Sequence, residues 1–313
     1  MTSHIGFIGL GIMGSRMAAN LRAHGYDLIV FNRTRHSAES LLRAGATWAS
    51  SRSVLASQAD VLFTMLPHPD AVAASALGAD GFLKNMRAGS IWVNCGTVNP
   101  SFAQEMAAAA RSNLVRYLDA PVTGSKDVAA RADLTFLVGG DPADLEVCRP
   151  LLTCMGKRIV HVGAIGLGSS LKMVNNLLLA VTMEAFAEGA ALGQALGIPS
   201  KTIFDTLLGG PIAAPFLAAK LTRIDHNDYE DADFSLRWIQ KDLHLAAVSA
   251  YEAGVAVPVV NAAKEIYRLA MRHGLADLDF SAIYTFLNQR SDRPAKRAEE
   301  HPSPSARSQA EMR

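Results

Sequence analysis

Two stretches of the chain carry side chains whose types and spacing could do chemistry. In "GLGSSLKMVNNLLLAV" (166–181), Lys172 and Asn176 stand four residues apart, hence one turn apart on a single helix face, with Ser169 three residues earlier on nearly that face. Around this polar stripe Leu171, Met173, Val174, Leu177, Leu178 and Leu179 are apolar nearly all round, which predicts a helix buried between two domains. An ammonium there has two readings. It is a first-turn lysine whose head follows its stem out to water, or it is a cation held on a rigid helix for a chemical purpose. The second stretch, "IGFIGLGIMGSRMAANLRAHGYDLIVFNRT", holds G-x-G-x-x-G at Gly9, Gly11 and Gly14, with Leu10, Ile12 and Met13 between them. A strand precedes it and an amphipathic helix follows. Such glycines permit a tight turn and close approach of backbone to a pyrophosphate, and the helix N-terminus offers free amides to the anion.

The end of the next strand bears on which dinucleotide binds. Where an acidic side chain would hold a ribose 2′-hydroxyl, this chain has Asn32, Arg33 and Thr34. Arg33 can pair with a 2′-phosphate and no carboxylate stands there to repel it, so NADP(H) is favoured over NAD(H). The alternative is a solvated Arg33 and an enzyme that takes either. Nine histidines form no H-E-x-x-H or similar cluster, which predicts no metal, and there is no G-x-S-x-G for serine hydrolysis. Gly163, Gly166 and Gly168 lack the order of a second nucleotide loop and read as a tight lead into the lysine helix.

These residues need a scaffold. "HIGFIGL", "DLIVFN", "ADVLFTML", "SIWVNC", "VRYLDA", "LTFLVGG" and "RIVHVG" read as strands, several separated by Ala-rich segments, and predict a mostly parallel sheet covered on both faces. From about Gly166 the pattern turns helical, with one long helix over 168–196 ending at Gly197 and Pro199, and further helices near 200–208, 235–254 and 258–273. The fold class expected is therefore α/β. An N-terminal Rossmann doubly wound sheet (1–165) leads into a long interdomain helix and an all-helical C-terminal domain (166–290), and a polar, Pro- and Ser-containing tail (291–313) is expected to be disordered.

The 313 residues are half hydrophobic, enough for a sizeable core, and 30 Lys and Arg against 29 Asp and Glu leave a net charge of +1. No overall field draws the chain to nucleic acid or to an anionic membrane, so a small partner is expected. Lys172, Asn175, Asn176 and Glu184 interrupt the best candidate for a membrane span. Cys95, Cys148 and Cys154 lack paired spacing and read as buried free thiols in a reducing compartment; with no signal sequence visible, a cytoplasmic location is expected. An apolar helical domain also suggests a homodimer or homotetramer.

Four motifs, in order, then resemble one family. "FIGLGIMGSRMAANL" is similar to the cofactor signature of the β-hydroxyacid dehydrogenases, "DAPVTGS" (119–125) to their substrate loop, "GLGSSLKMVNN" (166–176) to their catalytic stretch and "KDLHLA" (241–246) to their late motif. The resemblance covers the chain to about residue 290. It implies an active site in the cleft between domains, with Lys172 as the catalytic lysine, Asn176 on the substrate, and Thr123 and Gly124 on the loop that holds a substrate carboxylate. It also implies that Met65, Leu66, Pro67, Thr97 and Lys241 line the nicotinamide half of the cofactor site.

Departures from the common pattern narrow the reading. Asn94-Cys95-Gly96-Thr97 stands where Asp-Met-Ser-Thr is frequent, Thr123 replaces a serine, and Ser125 replaces a glycine. "TGSK" and "FSLRWIQKD" (234–242) resemble the glyoxylate and succinic semialdehyde reductase subgroup, whose matching Phe234 and Asp242 line the substrate site. The expected function is an NADPH-dependent reductase of small aldehyde or keto acids with Lys172 as general acid. An NAD-dependent 3-hydroxyisobutyrate-type dehydrogenase acting oxidatively is the alternative within the enzymes, and a non-catalytic nucleotide-binding module the alternative outside them.

Overall fold

The computed structural model describes residues 4–288, so the tail reading for 291–313 lies outside the described residues. Among the described residues nine strands form one sheet: β1 (Ile5–Ile8), β2 (Leu28–Phe31), β3 (Thr47–Trp48), β4 (Val61–Thr64), β5 (Ile91–Asn94), β6 (Arg116–Asp119), β7 (Val122–Thr123), β8 (Leu134–Gly139) and β9 (Gly156–Gly163). The order β3-β2-β1-β4-β5-β6 is parallel throughout, with Ile5 beside both Leu28 and Val61. β8 then runs antiparallel to β6 and β7, and β9 runs parallel to β8. The strands β1, β4 and β5 are buried along their whole length, as a sheet covered on both faces requires. Phe7, Val30, Phe63 and Val93 pack into one layer, and their neighbours Ile8, Ile29, Leu62 and Trp92 into the other. The two-residue strands β3 and β7 are absent from the sequence reading, being too short to show a period.

β1 has β2 on one side and β4 on the other, so connections leave its end in opposite directions and open a crevice at the strands' carboxyl ends. From β9 the chain enters one helix, Leu167–Ala195, about 44 Å long at 1.5 Å per residue. Its N-terminus lies against the sheet. A side chain at Gly168 would collide with the carbonyl of Leu137 in β8, so a residue without Cβ is needed for this approach. The expectation of a helix buried all round is corrected here. Met173, Asn176, Ala180, Met183, Ala187 and Ala190 are buried, but Val174, Leu178 and Leu192 are 53%, 59% and 62% exposed. The helical domain packs on one side of the helix only, and a row of apolar side chains is left on the other.

The rest of that domain consists of helices Ser200–Leu208, Pro215–His226, Leu236–Glu252, Pro258–Ala270 and Ile283–Leu287 around a core that includes Phe204, Leu236, Leu243, Tyr267 and Phe280. Pro215–His226 and Ile283–Leu287 escaped the sequence reading. The first buries Lys220, whose ammonium meets Asp233 at 2.9 Å and Asp279 at 2.8 Å, and a buried cation breaks the apolar pattern that marks a core-facing helix. Among the described residues no helix is long and apolar enough to cross a membrane.

Candidate active site

The glycine turn joins β1 to the helix Ile12–Ala23. Gly9 has φ +98°, and a Cβ on Gly14 would collide with the Gly9 carbonyl, so the two glycines let the helix sit on the end of its strand. Gly11 differs: nothing lies where its Cβ would be. No side chain caps the helix, which leaves the first-turn amides of Ile12, Met13 and Gly14 without side-chain partners. A backbone that open, with free N–H groups beneath it, fits a pyrophosphate. Asn32, at the end of β2, accepts from the Leu10 amide (3.1 Å) and donates to the Thr34 carbonyl (3.1 Å), binding the second strand to the turn. Its side chain is thus committed to structure. Arg33 and Thr34 are exposed beside it. Arg35 lies 5.6 Å over the Trp48 ring, while Arg33 has no hydrogen bond or ion pair among the described residues.

Met65, Leu66 and Pro67 follow β4, and Thr97 follows β5, so both segments reach the same crevice. Beneath them runs a buried polar chain. The Trp92 indole N–H donates to Thr64 Oγ1 (2.9 Å), Thr64 Oγ1 donates to Asn94 Oδ1 (3.0 Å), and the Gly96 amide reaches the same oxygen at 3.4 Å. Asn94, in the segment that departs from the common pattern, therefore shapes the turn leading to Thr97. Lys241, on helix Leu236–Glu252, crosses from the helical domain and donates to the carbonyls of Pro67 (2.9 Å) and Thr97 (3.0 Å). His68 stacks on Trp238 nearby, 6.4 Å between ring centres.

Lys172 is half-buried and makes no hydrogen bond or ion pair with another described residue. One turn on, Asn176 is buried and its Nδ2 donates to Asp242 Oδ2 at 2.5 Å, while Asp242 Oδ1 lies 2.8 Å from the Lys241 ammonium. Burial lowers the Lys172 pKa to about 8; the Lys241 charge adds to that lowering and Asp242 opposes it. The result is an ammonium at neutral pH that can part with its proton, with no protein acceptor competing for it. Thr123 ends β7 half-buried, Gly124 is exposed, and Ser125 precedes the short helix Lys126–Ala130. Phe234 is half-buried just ahead of Leu236–Glu252. The structure thus brings Lys172, Asn176, Lys241 and Asp242 together, sets Lys241 against the Pro67 and Thr97 backbone, and holds Leu10 to Asn32.

Sequence reasoning gave no role to Asp119, although it quoted the motif that contains it. This buried carboxylate, at the end of β6, accepts from the Gly166 amide (2.8 Å) and the Ser169 amide (2.7 Å), and so anchors the start of the lysine helix one turn before Lys172. Burial raises its pKa and these amides pull it back.

Residues 4–163 match the family model for the NAD binding domain of 6-phosphogluconate dehydrogenase. Residues 166–287 match that described as NAD-binding of NADP-dependent 3-hydroxyisobutyrate dehydrogenase. The chain belongs to the β-hydroxyacid dehydrogenase family. It is accordingly an NAD(P)-dependent oxidoreductase. Among its relatives, glyoxylate/succinic semialdehyde reductase 2 of Arabidopsis thaliana, a chloroplastic enzyme, is 34% identical over 94% of this chain and 82% of its own. The NAD-dependent L-serine dehydrogenase of Pseudomonas aeruginosa is 38% identical over 89% of this chain and 96% of its own. The solved structure of Mycobacterium tuberculosis 3-hydroxyisobutyrate dehydrogenase with L-serine superposes with a TM-score of 0.83 at 33% identity, covering 92% of this chain and 99% of that one.

Proposed function

We propose that this β-hydroxyacid dehydrogenase is an NADPH-dependent reductase of small aldehyde or keto acids, of the glyoxylate or succinic semialdehyde type, with Lys172 as general acid. The observation that carries this is the half-buried ammonium of Lys172, unpaired among the described residues, one turn before Asn176 and near the Asp242–Lys241 pair, with a pKa lowered to about 8. Bound nicotinamide supplies the hydride. Lys172 gives its proton to the oxygen that turns negative, and Asn176, locked by Asp242, orients the substrate beside it. Thr123, Gly124 and Ser125 receive the carboxylate, and Phe234 closes the far side. Gly9 to Gly14 hold the pyrophosphate, Arg33 pairs with the 2′-phosphate, and Met65 to Pro67 with Thr97 flank the ring.

The 38% identity to an NAD-dependent L-serine dehydrogenase favours a second reading, oxidation of a 3-hydroxy acid with NAD. Cofactor oxidation with glyoxylate, succinic semialdehyde, tartronate semialdehyde and methylmalonate semialdehyde separates the two, run beside reduction of NAD and NADP with L-serine and 3-hydroxyisobutyrate. The proposal expects the highest kcat/KM with NADPH and one of the aldehyde acids, and a loss of about tenfold or more in NADPH preference on Arg33→Ala. A wild-type preference for NADH with L-serine or 3-hydroxyisobutyrate overturns it.

The exposed row Leu171, Val174, Leu178 and Leu192 supports a homodimer or homotetramer in which the long helix meets a second copy. Leu178→Asp should then lower the mass measured by light scattering. Three free cysteines suit work in the reducing cytoplasm.

A further inference from the structure

The cleft is bridged at its nicotinamide end by Lys241, which reaches from the helical domain to the Rossmann domain. A second lysine crosses in the opposite sense. Lys126 follows Thr123-Gly124-Ser125 directly and opens the short helix Lys126–Ala130, yet it is only 9% exposed, unusual for a lysine. Its ammonium leaves the Rossmann domain, meets the Asp231 carbonyl at 3.1 Å and the Asp231 carboxylate at 2.5 Å, and lies 4.0 Å from Asp233 Oδ1. Both aspartates belong to the loop between helices Pro215–His226 and Leu236–Glu252.

That loop is held from behind. Arg223 donates to the Asp231 carbonyl (2.7 Å) and lies 3.4 Å from Asp233, and Lys220 meets Asp233 at 2.9 Å and Asp279 at 2.8 Å. Asp279 in turn accepts from the backbone amides of Asp233 (3.1 Å) and Phe234 (3.4 Å). Three cations and three carboxylates are thereby matched, and Lys126 is the one member contributed by the other domain. The chain of contacts runs from the Thr123–Ser125 loop through Lys126 and Asp231 to Phe234, linking two walls of the substrate end.

We propose that Lys126 is an interdomain strut, a positioning residue that sets the separation between the Thr123–Ser125 loop and Phe234. The substrate's place between those walls rests on the proposed function; the strut itself does not. A lysine buried at one wall and paired at the other favours the closed cleft, because opening would leave its ammonium without the carbonyl and carboxylate it now satisfies. Asp231, whose side chain is 87% exposed, can be altered without touching the core.

The test uses the full chain as Lys126→Met, Lys126→Arg, Asp231→Asn and the double variant Lys126→Met/Asp231→Asn. Substrate KM and kcat, NADPH affinity and backbone hydrogen exchange are measured for each. Lys126→Met should raise substrate KM about tenfold with a smaller fall in kcat and unchanged NADPH affinity, and should speed exchange in residues 123–130 and 227–235 but not in the central strands. Lys126→Arg should restore most of the loss. Asp231→Asn, which keeps the carbonyl contact, should raise KM about threefold and add nothing to Lys126→Met. Wild-type KM and exchange in Lys126→Met overturn the strut, as does a loss spread evenly over NADPH affinity and core protection. If Lys126→Met does not fold, wild-type KM and exchange in Asp231→Asn overturn it. If no acid is turned over by the unaltered chain, the functional reading fails, and the exchange measurement still decides on Lys126.

Discussion

Asp242→Asn isolates the electrostatics of the proposed general acid. Asp242 is the one group that holds the Lys172 pKa up against burial and against Lys241, so neutralising it should send that pKa below about 8. A carboxylate a few ångströms from an ammonium shifts it by about one to three units. Here the lower end applies, because Lys241 stands 2.8 Å from the same carboxylate and spends part of its field. A downward shift of about one unit is expected, equivalent to about 1.4 kcal/mol between the two protonation states. The asparagine oxygen can still accept from Asn176 Nδ2, while its NH₂ then faces the Lys241 ammonium, which keeps the Pro67 and Thr97 carbonyls as acceptors. The assay is kcat/KM in both directions across pH at saturating cofactor. Oxidation needs the neutral amine and should rise with pH through a limb near 8 in the unaltered enzyme; reduction needs the ammonium and should fall through the same limb. In Asp242→Asn both limbs should move to lower pH together. Limbs that stay in place, or move upward, would refute Lys172 as the titrating group.

Other outcomes follow from buried charges. The Lys172 proton is bound more weakly folded than unfolded, so its burial penalty is fully present below about 8 and disappears as pH rises to the ordinary lysine value of 10.5. Lys172→Met should therefore raise the unfolding free energy from urea melts at pH 7, by on the order of 1–3 kcal/mol, while lowering turnover about 100-fold or more. Glu184 is the converse: burial and the neighbouring Glu188 raise its pKa to about 7, so the folded state binds the extra proton and loses stability as pH climbs from 4.5 through 7. Glu184→Gln should flatten that slope and leave the enzyme more stable at pH 8, as read by thermal melts. Asp119→Asn replaces one of two accepting oxygens with an NH₂ that faces a backbone N–H. A cost of about 1–3 kcal/mol in urea melts is expected, with a fall in kcat larger than any change in NADPH affinity.

How much of this was legible beforehand differs residue by residue. The turn Gly9–Gly14, the strand that ends just before Asn32, and the one-turn spacing of Lys172 and Asn176 are all written within a few residues, because turn chemistry and helical period act over that range. The burial of β1, β4 and β5 on both faces was also readable from uninterrupted apolar runs. The order of strands beyond β6, with β8 reversed, was not: it depends on which edge is free when the chain returns. Nor was it visible that Val174 and Leu178 would face outward, since an apolar side chain does not say which neighbour will cover it.

Tertiary structure alone decided the partners of charges. Lys126 and Asp231 are 105 positions apart, and Asp119 is 50 from the Ser169 amide it holds. No local pattern announces such a pair. By itself the amino-acid order determined the α/β class, the nucleotide turn and the one-turn spacing of Lys172 and Asn176. The fold decided that this lysine stands unpaired among the described residues, at lowered pKa, near Asn176 and the Asp242–Lys241 pair. Burial and electrostatic environment are sums over everything brought near, and only the folded chain brings those groups together.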